Sequence, residues 1–171
     1  MSKIVFFCIP AYGHTNPTLG VVRELIARGH EVRYYSYAPM RPLIEAAGAQ
    51  FVACDPYDCE QHLTPADGAR VGKDIAFSTH ILVETTLALD EMACADMRAY
   101  APDCIVADSM AVWGKAVAKK LGIPFVSSTT TFAFNRYSAK VMKQSGGQIL
   151  KMMLAMPKIN KDLRRLRDRG Y

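Results

Sequence analysis

Short apolar runs alternate with amphipathic runs from residue 3 to residue 127, and this alternation restricts the chain more than any other feature. Residues 3–9 read as a buried strand, short, apolar and closed by Pro10. In residues 17–28, Thr18, Val21, Val22, Leu25 and Ile26 share one helical face, and Gly29 follows as a C′ residue. Residues 31–36 read as a second strand with Val32 and Tyr34 on one face. Residues 39–47 read as a short helix closed by Gly48, and residues 50–54 as a third strand. Phe77, Ile81, Thr85, Leu89 and Met92 recur at helical spacing through residues 73–100, with a break expected near Ser78-Thr79. After Pro102 come a strand over 103–107, a helix over 112–121 closed by Gly122, and a strand over 124–127. Strands separated by helices pair in parallel through crossovers. The expected fold class is α/β, a doubly wound parallel sheet.

The 171 residues suffice for one domain with a full core and are too few for two ordinary ones. Half of them are hydrophobic and the charge is moderate, which excludes a disordered chain. The N-terminal apolar run is too short for a signal peptide, and no stretch has the length of a membrane span. The expected location is cytoplasmic. The cysteines, Cys8, Cys54, Cys59, Cys94 and Cys104, are odd in number and partly in apolar runs, which suits reduced thiols. Cys54, Cys59 and His62 lack a fourth ligand at a familiar spacing, so no metal is expected. The net charge of +5 lies beyond residue 150, where seven Lys and Arg face two Asp; the remainder balances, which argues against a nucleic-acid surface on the main body.

Between the first strand and helix lies Pro10-Ala11-Tyr12-Gly13-His14-Thr15-Asn16-Pro17. Pro10 stops the strand, Gly13 is expected to permit a sharp turn, and Asn16-Pro17 reads as an N-cap and first helical residue. His14 therefore belongs at the C-terminal edge of a first parallel strand, where open α/β sheets bind ligands. Imidazole suits a general base. Asp108 closes another buried strand and is expected at the same edge, able to hold one imidazole nitrogen; otherwise Asp108 or Ser109 caps the helix that follows. Asp103 opens that strand at the opposite edge. The strand-to-helix stretch has no G-x-G-x-x-G, and the chain has no G-x-x-x-x-G-K-[ST] phosphate loop.

Gly13-His14-Thr15-Asn16-Pro17 after a first strand resembles the G-H-x-x-P of nucleotide-sugar-dependent glycosyltransferases of the macrolide and flavonoid type, a likeness that runs through most of the chain. In that family two Rossmann-like domains form the GT-B architecture, and the first binds the acceptor. The resemblance implies that His14 is the catalytic base and Asp108 its partner, in an inverting displacement that moves a sugar from a UDP-sugar to a hydroxyl of a hydrophobic small molecule. The UDP-sugar is a co-substrate, and neither a cofactor nor a metal is implied. Tyr12, Gly13, Tyr37, Pro39, Phe77, Trp113, Thr130, Phe132 and Phe134 are candidates for the acceptor cleft, with ordinary core as the alternative for each aromatic. Thr15 and Asn16, at a helix N-terminus, are candidates for the donor phosphate. Met142, Met152, Met153 and Met156 suit either an adaptable apolar wall or the buried face of a helix pair.

The loop over 55–71 is longer than a connector requires, which hints at ligand contact. Residues 1–136 are expected to form a Rossmann-like acceptor domain. Residues 137–171 are expected to be a Met-rich and basic helical segment, with Ile159, Leu163 and Leu166 as the apolar stripe of a helix over 158–169, leading toward a donor domain that this chain lacks. The expected partners are a hydroxylated hydrophobic acceptor and a donor-binding domain or chain, with neither nucleic acid nor membrane. The alternatives are a non-catalytic binding module for a hydrophobic ligand, a subunit of a two-chain transferase, or a doubly wound protein of another function.

Overall fold

A computed structural model describes residues 1–57, 69–71, 73–130 and 146–171. Five strands form one parallel sheet: β1 (Lys3–Phe7), β2 (Glu31–Ser36), β3 (Gln50–Ala53), β4 (Cys104–Asp108) and β5 (Phe125–Ser128), in the order β3-β2-β1-β4-β5. The helices are α1 (Tyr12–Ala27), α2 (Arg41–Ala46, after a 3₁₀ turn over Ala38–Met40), α3 (Ile75–Tyr100), α4 (Val112–Leu121) and α5 (Gly146–Asp168). From β1 the chain winds outward to β2 and β3, then returns to place β4 on the other flank of β1. The strand order therefore reverses between β1 and β4, the crevice position at which doubly wound sheets place their ligands.

Both faces of the sheet are covered, and β1 shows why. Ile4, Phe6 and Cys8 point into a core with Leu19, Val22 and Ile44 of α1 and α2. Val5 and Phe7 point the opposite way, toward Leu89, Ala93, Met97, Trp113 and Val117 of α3 and α4. A strand apolar at every position from Ile4 to Phe7 suits only a sheet buried on both sides. Phe6 stacks on Tyr34 and Phe7 on Tyr35, each with its register partner on β2.

Three helices depart from the sequence reading. Helix α1 begins at Tyr12, so Gly13 to Asn16 are helical and Pro17 lies inside it. Gly13 has no positive φ, Ala11 rather than Asn16 is the N-cap, and the sharp glycine turn does not occur. The buried face of α1 is Thr15, Thr18, Leu19 and Val22; Val21 is exposed. Helix α3 runs unbroken through Ser78 and Thr79, capped by Asp74, whose side chain accepts the Phe77 N–H. Helix α5 starts at Gly146, well before the expected residue 158, and carries Pro157 inside. It packs on α3, where Asp162 meets His80; of the expected stripe Ile159 is buried, whereas Leu163 is exposed. The boundary between 136 and 137, Phe132, Phe134 and Met142, and most of the 55–71 loop with Cys59 and His62, lie outside the described residues.

Candidate active site

His14 stands in the first turn of α1, directly beyond the C-terminal end of β1. The chain leaves β1 through Cys8, whose N–H donates to the Tyr35 carbonyl, and turns where the Ala11 N–H donates to the Ile9 carbonyl. The His14 and Thr15 N–H groups then both donate to the Ala11 carbonyl, which starts the helix. Asp108 is the last residue of β4, the strand beside β1, with Phe7 and Ala107 in register. Thr130 lies two residues beyond the end of β5, whose Ser128 is in register with Asp108. Three adjacent parallel strands thus deliver three polar side chains to one edge of the sheet.

Their geometry is tight. His14 Nδ1 lies 3.0 Å from each carboxylate oxygen of Asp108. Thr130 Oγ1 lies 2.8 Å from His14 Nδ1 and donates to Asp108 Oδ1 at 3.1 Å. The Met110 N–H donates to Asp108 Oδ2 at 3.1 Å. The Asp108 side chain is fully buried, while that of His14 keeps 20% of its surface exposed. Asp108 does not cap α4, whose N-cap is Ala111 without a side-chain hydrogen bond, although the Ala111 N–H donates to the Asp108 carbonyl. Asp103 accepts from the Lys3 N–H at the opposite end of the sheet, as its position implied.

Below His14 the helix face is closed. Thr15 is fully buried, with its hydroxyl 3.8 Å from Cys8 Sγ, and Thr18 bonds Tyr34 Oη at 2.7 Å. Burial pushes the Cys8 thiol up to about 11, so it stays protonated and offers no nucleophile beside His14.

The other candidates divide. Tyr12 is 60% exposed beside His14; Gly13 and Asn16 are exposed on the same helix. Phe77 is half-buried beneath the Arg70 guanidinium. Pro39 is exposed in its 3₁₀ turn. Trp113 is 1% exposed and Tyr37 4%, and both belong to the core between the sheet and α3 and α4. Neither offers a cleft wall here: apolar burial claims these large rings, as the core alternative allowed. Thr15 likewise faces the sheet, because the helix starts at Tyr12 rather than at the expected Pro17. Met153 and Met156 are exposed on α5, so a buried Met-lined face is not formed by them.

Two features escaped the sequence reading. Gly114 lets α4 approach the sheet beneath the site: a Cβ there would stand 2.6 Å from Ala107 Cβ and 3.0 Å from Phe7 Cβ. Only its place in the helix after Asp108 hinted at this. The second is a group of His80, Glu84 and Asp162, whose ligand-capable atoms lie within 4.8 Å of one another. Arg165 reaches it, paired with Glu84 and 3.7 Å from Asp162, so a side-chain cation already lies against both carboxylates.

No protein-family profile matches the chain. Among curated proteins it is 36% identical over 149 residues to a demethyllactenocin mycarosyltransferase of Streptomyces fradiae, covering 81% of this chain and 32% of that protein. It is 31% identical over 145 residues to an oleandomycin glycosyltransferase of Streptomyces antibioticus, covering 82% and 32%. It is 30% identical over 130 residues to an NDP-glycosyltransferase of Bacillus subtilis, covering 74% and 31%. The chain thus spans about a third of the length of these relatives. Among solved structures, a kitacinnamycin glycotransferase superposes with a TM-score of 0.69 at 21% identity, over 96% of this chain and 38% of the other. A Streptomyces glycosyltransferase complexed with thymidine diphosphate superposes with a TM-score of 0.62 at 18% identity, over 97% and 45%. At such identities the structural likeness speaks for the fold alone. In sequence and in fold together, the chain resembles the N-terminal part of GT-B glycosyltransferases of the macrolide type.

Proposed function

We propose that this chain is the acceptor-binding part of an inverting glycosyltransferase that moves a sugar from a UDP-sugar, or another nucleoside-diphosphate sugar, to a hydroxyl of a hydrophobic small molecule. The single observation that carries the reading is the His14–Asp108 pair at the point where the strand order reverses, with Nδ1 held by the carboxylate. With Nδ1 so engaged, Nε2 is the nitrogen left to act. It removes the acceptor hydroxyl proton as the acceptor oxygen bonds to the anomeric carbon. The bond from that carbon to the diphosphate oxygen breaks, and its electron pair leaves with the nucleotide. One displacement inverts the centre, and Asp108 stabilises the imidazolium that forms. No metal and no protein nucleophile take part. A cytoplasmic location fits the buried or half-buried thiols of Cys8, Cys94 and Cys104.

A donor-binding domain, on the same or another chain, completes the active enzyme in this proposal, and residues 1–171 alone do not turn over. The test joins the chain to the donor domain of the mycarosyltransferase relative and follows sugar transfer to macrolide and phenolic acceptors. Transfer is expected with the wild-type sequence and falls by roughly 10²–10⁴ in His14→Ala, the usual worth of a general base, while calorimetry shows acceptor binding unchanged. Equal transfer by His14→Ala rejects the base role. Acceptor binding with no transfer by the wild-type fusion favours a non-catalytic binding module.

A further inference from the structure

We infer that Thr130 is a positioning residue for His14, its hydroxyl deciding which ring nitrogen carries the proton; the inference rests on the general-base reading above. The hydroxyl lies within hydrogen-bond distance of both members of the pair, 2.8 Å from His14 Nδ1 and 3.1 Å from Asp108 Oδ1. Counting hydrogens gives their directions. A carboxylate accepts only, and a hydroxyl has one proton to give. Asp108 Oδ1 takes the Thr130 proton, so the Thr130 oxygen turns its lone pairs toward Nδ1. Nδ1 then faces three acceptors, namely Asp108 Oδ1, Asp108 Oδ2 and Thr130 Oγ1, and must itself carry the hydrogen. The neutral ring keeps its lone pair on Nε2, the atom a general base needs free.

Thr130 also supplies what Asp108 cannot supply for itself. The terminal torsion of an aspartate is broad. The Met110 N–H holds only Oδ2. Thr130 holds Oδ1, so the carboxylate is gripped from both oxygens and cannot swing away from the imidazole. The hydroxyl is spent within this cluster, a role different from the acceptor contact that sequence position suggested.

The chain as it stands permits the test, since no turnover is required. Long-range proton–nitrogen NMR on histidine-labelled protein, with His14 assigned by its loss in His14→Ala, reads the proton position in the neutral ring. In the wild type the proton is expected on Nδ1. Thr130→Val keeps the side-chain shape and removes the hydroxyl, and is expected to raise the Nε2–H to Nδ1–H ratio by up to about tenfold, the equilibrium counterpart of one neutral hydrogen bond. Thr130→Ser is expected to keep the wild-type ratio. Should the valine variant fold poorly, Thr130→Ala serves in its place. An unchanged ratio without the hydroxyl, or a serine variant that behaves like valine, overturns the role of Thr130 and leaves the base reading intact. A wild-type ring protonated on Nε2 instead overturns both.

Discussion

At the scale of single residues, His14 depends on neighbours that come from other strands. Asp108 is fully buried and accepts from His14, Thr130 and the Met110 N–H, so each of its oxygens has a fixed partner. An amide in its place presents an N–H₂ or a single carbonyl oxygen to Nδ1 and disturbs the tautomer. Asp108→Asn is therefore expected to lower transfer in the joined enzyme by about 10²–10⁴ while the far-ultraviolet circular dichroism is unchanged. An unchanged rate would reduce Asp108 to a turn-former that engages Met110 and Ala111. The misplaced start of α1 also has a residue-scale cause. Asn16-Pro17 looks like a helix entrance, since a proline inside a helix forfeits the bond to the carbonyl four residues back and crowds that carbonyl. Here that carbonyl belongs to Gly13, which is exposed in the first turn and open to water.

Among the elements, α4 sits close to the sheet because Gly114 has no side chain. Its backbone meets Ala107 and Phe7, the residues that pair β4 with β1 just before Asp108. Gly114→Ala forces a methyl against a Cβ 2.6 Å away. It is expected to destabilise the protein by about 1–3 kcal/mol, as overpacking does, read from the midpoint of urea unfolding. A variant as stable as the wild type would show that α4 can shift freely. In α3 the expected break is missing for a different reason. Ser78 Oγ donates to the Asp74 carbonyl and Thr79 Oγ1 to the Ile75 carbonyl, so both hydroxyls bond back into the helix.

Over the whole molecule, α5 is tied down rather than left in solvent. Asp162 bonds His80 at 3.2 Å, and Arg165 pairs with Glu84. Beyond the helix, Tyr171 donates to Asp90, which also accepts from Lys120 at 2.8 Å and Cys94 at 3.3 Å. Burial works to raise the Asp90 carboxyl, but hydrogen bonds from Lys120, Tyr171 and Cys94 outweigh it and hold the group below its ordinary value of 3.8. A carboxyl depressed in the folded state stabilises fully above that ordinary value, and the contribution is lost as pH falls through the lower folded one. Asp90→Asn is thus expected to cost about 1–3 kcal/mol at neutral pH. The gap to wild type should narrow as the pH drops below 4 in denaturant melts. A gap independent of pH would place the effect in packing instead.

Composition and hydrophobic period alone determined the parallel α/β layering, the helices closed by Gly29, Gly48 and Gly122, and the presence of His14 and Asp108 at one edge. These are local matters: consecutive apolar positions such as Ile4 to Phe7 demand cover on both faces, and a residue that ends a parallel strand reaches the same edge as its neighbours' ends. Only the tertiary structure decided that Thr130 joins the pair, that Trp113 and Thr15 face inward, that Gly114 brings α4 onto the sheet, and that Asp162 rather than Leu163 faces α3. Each depends on how far one element approaches another and how a helix is rotated about its axis. Those distances follow from packing between residues remote in sequence, and no local pattern records them.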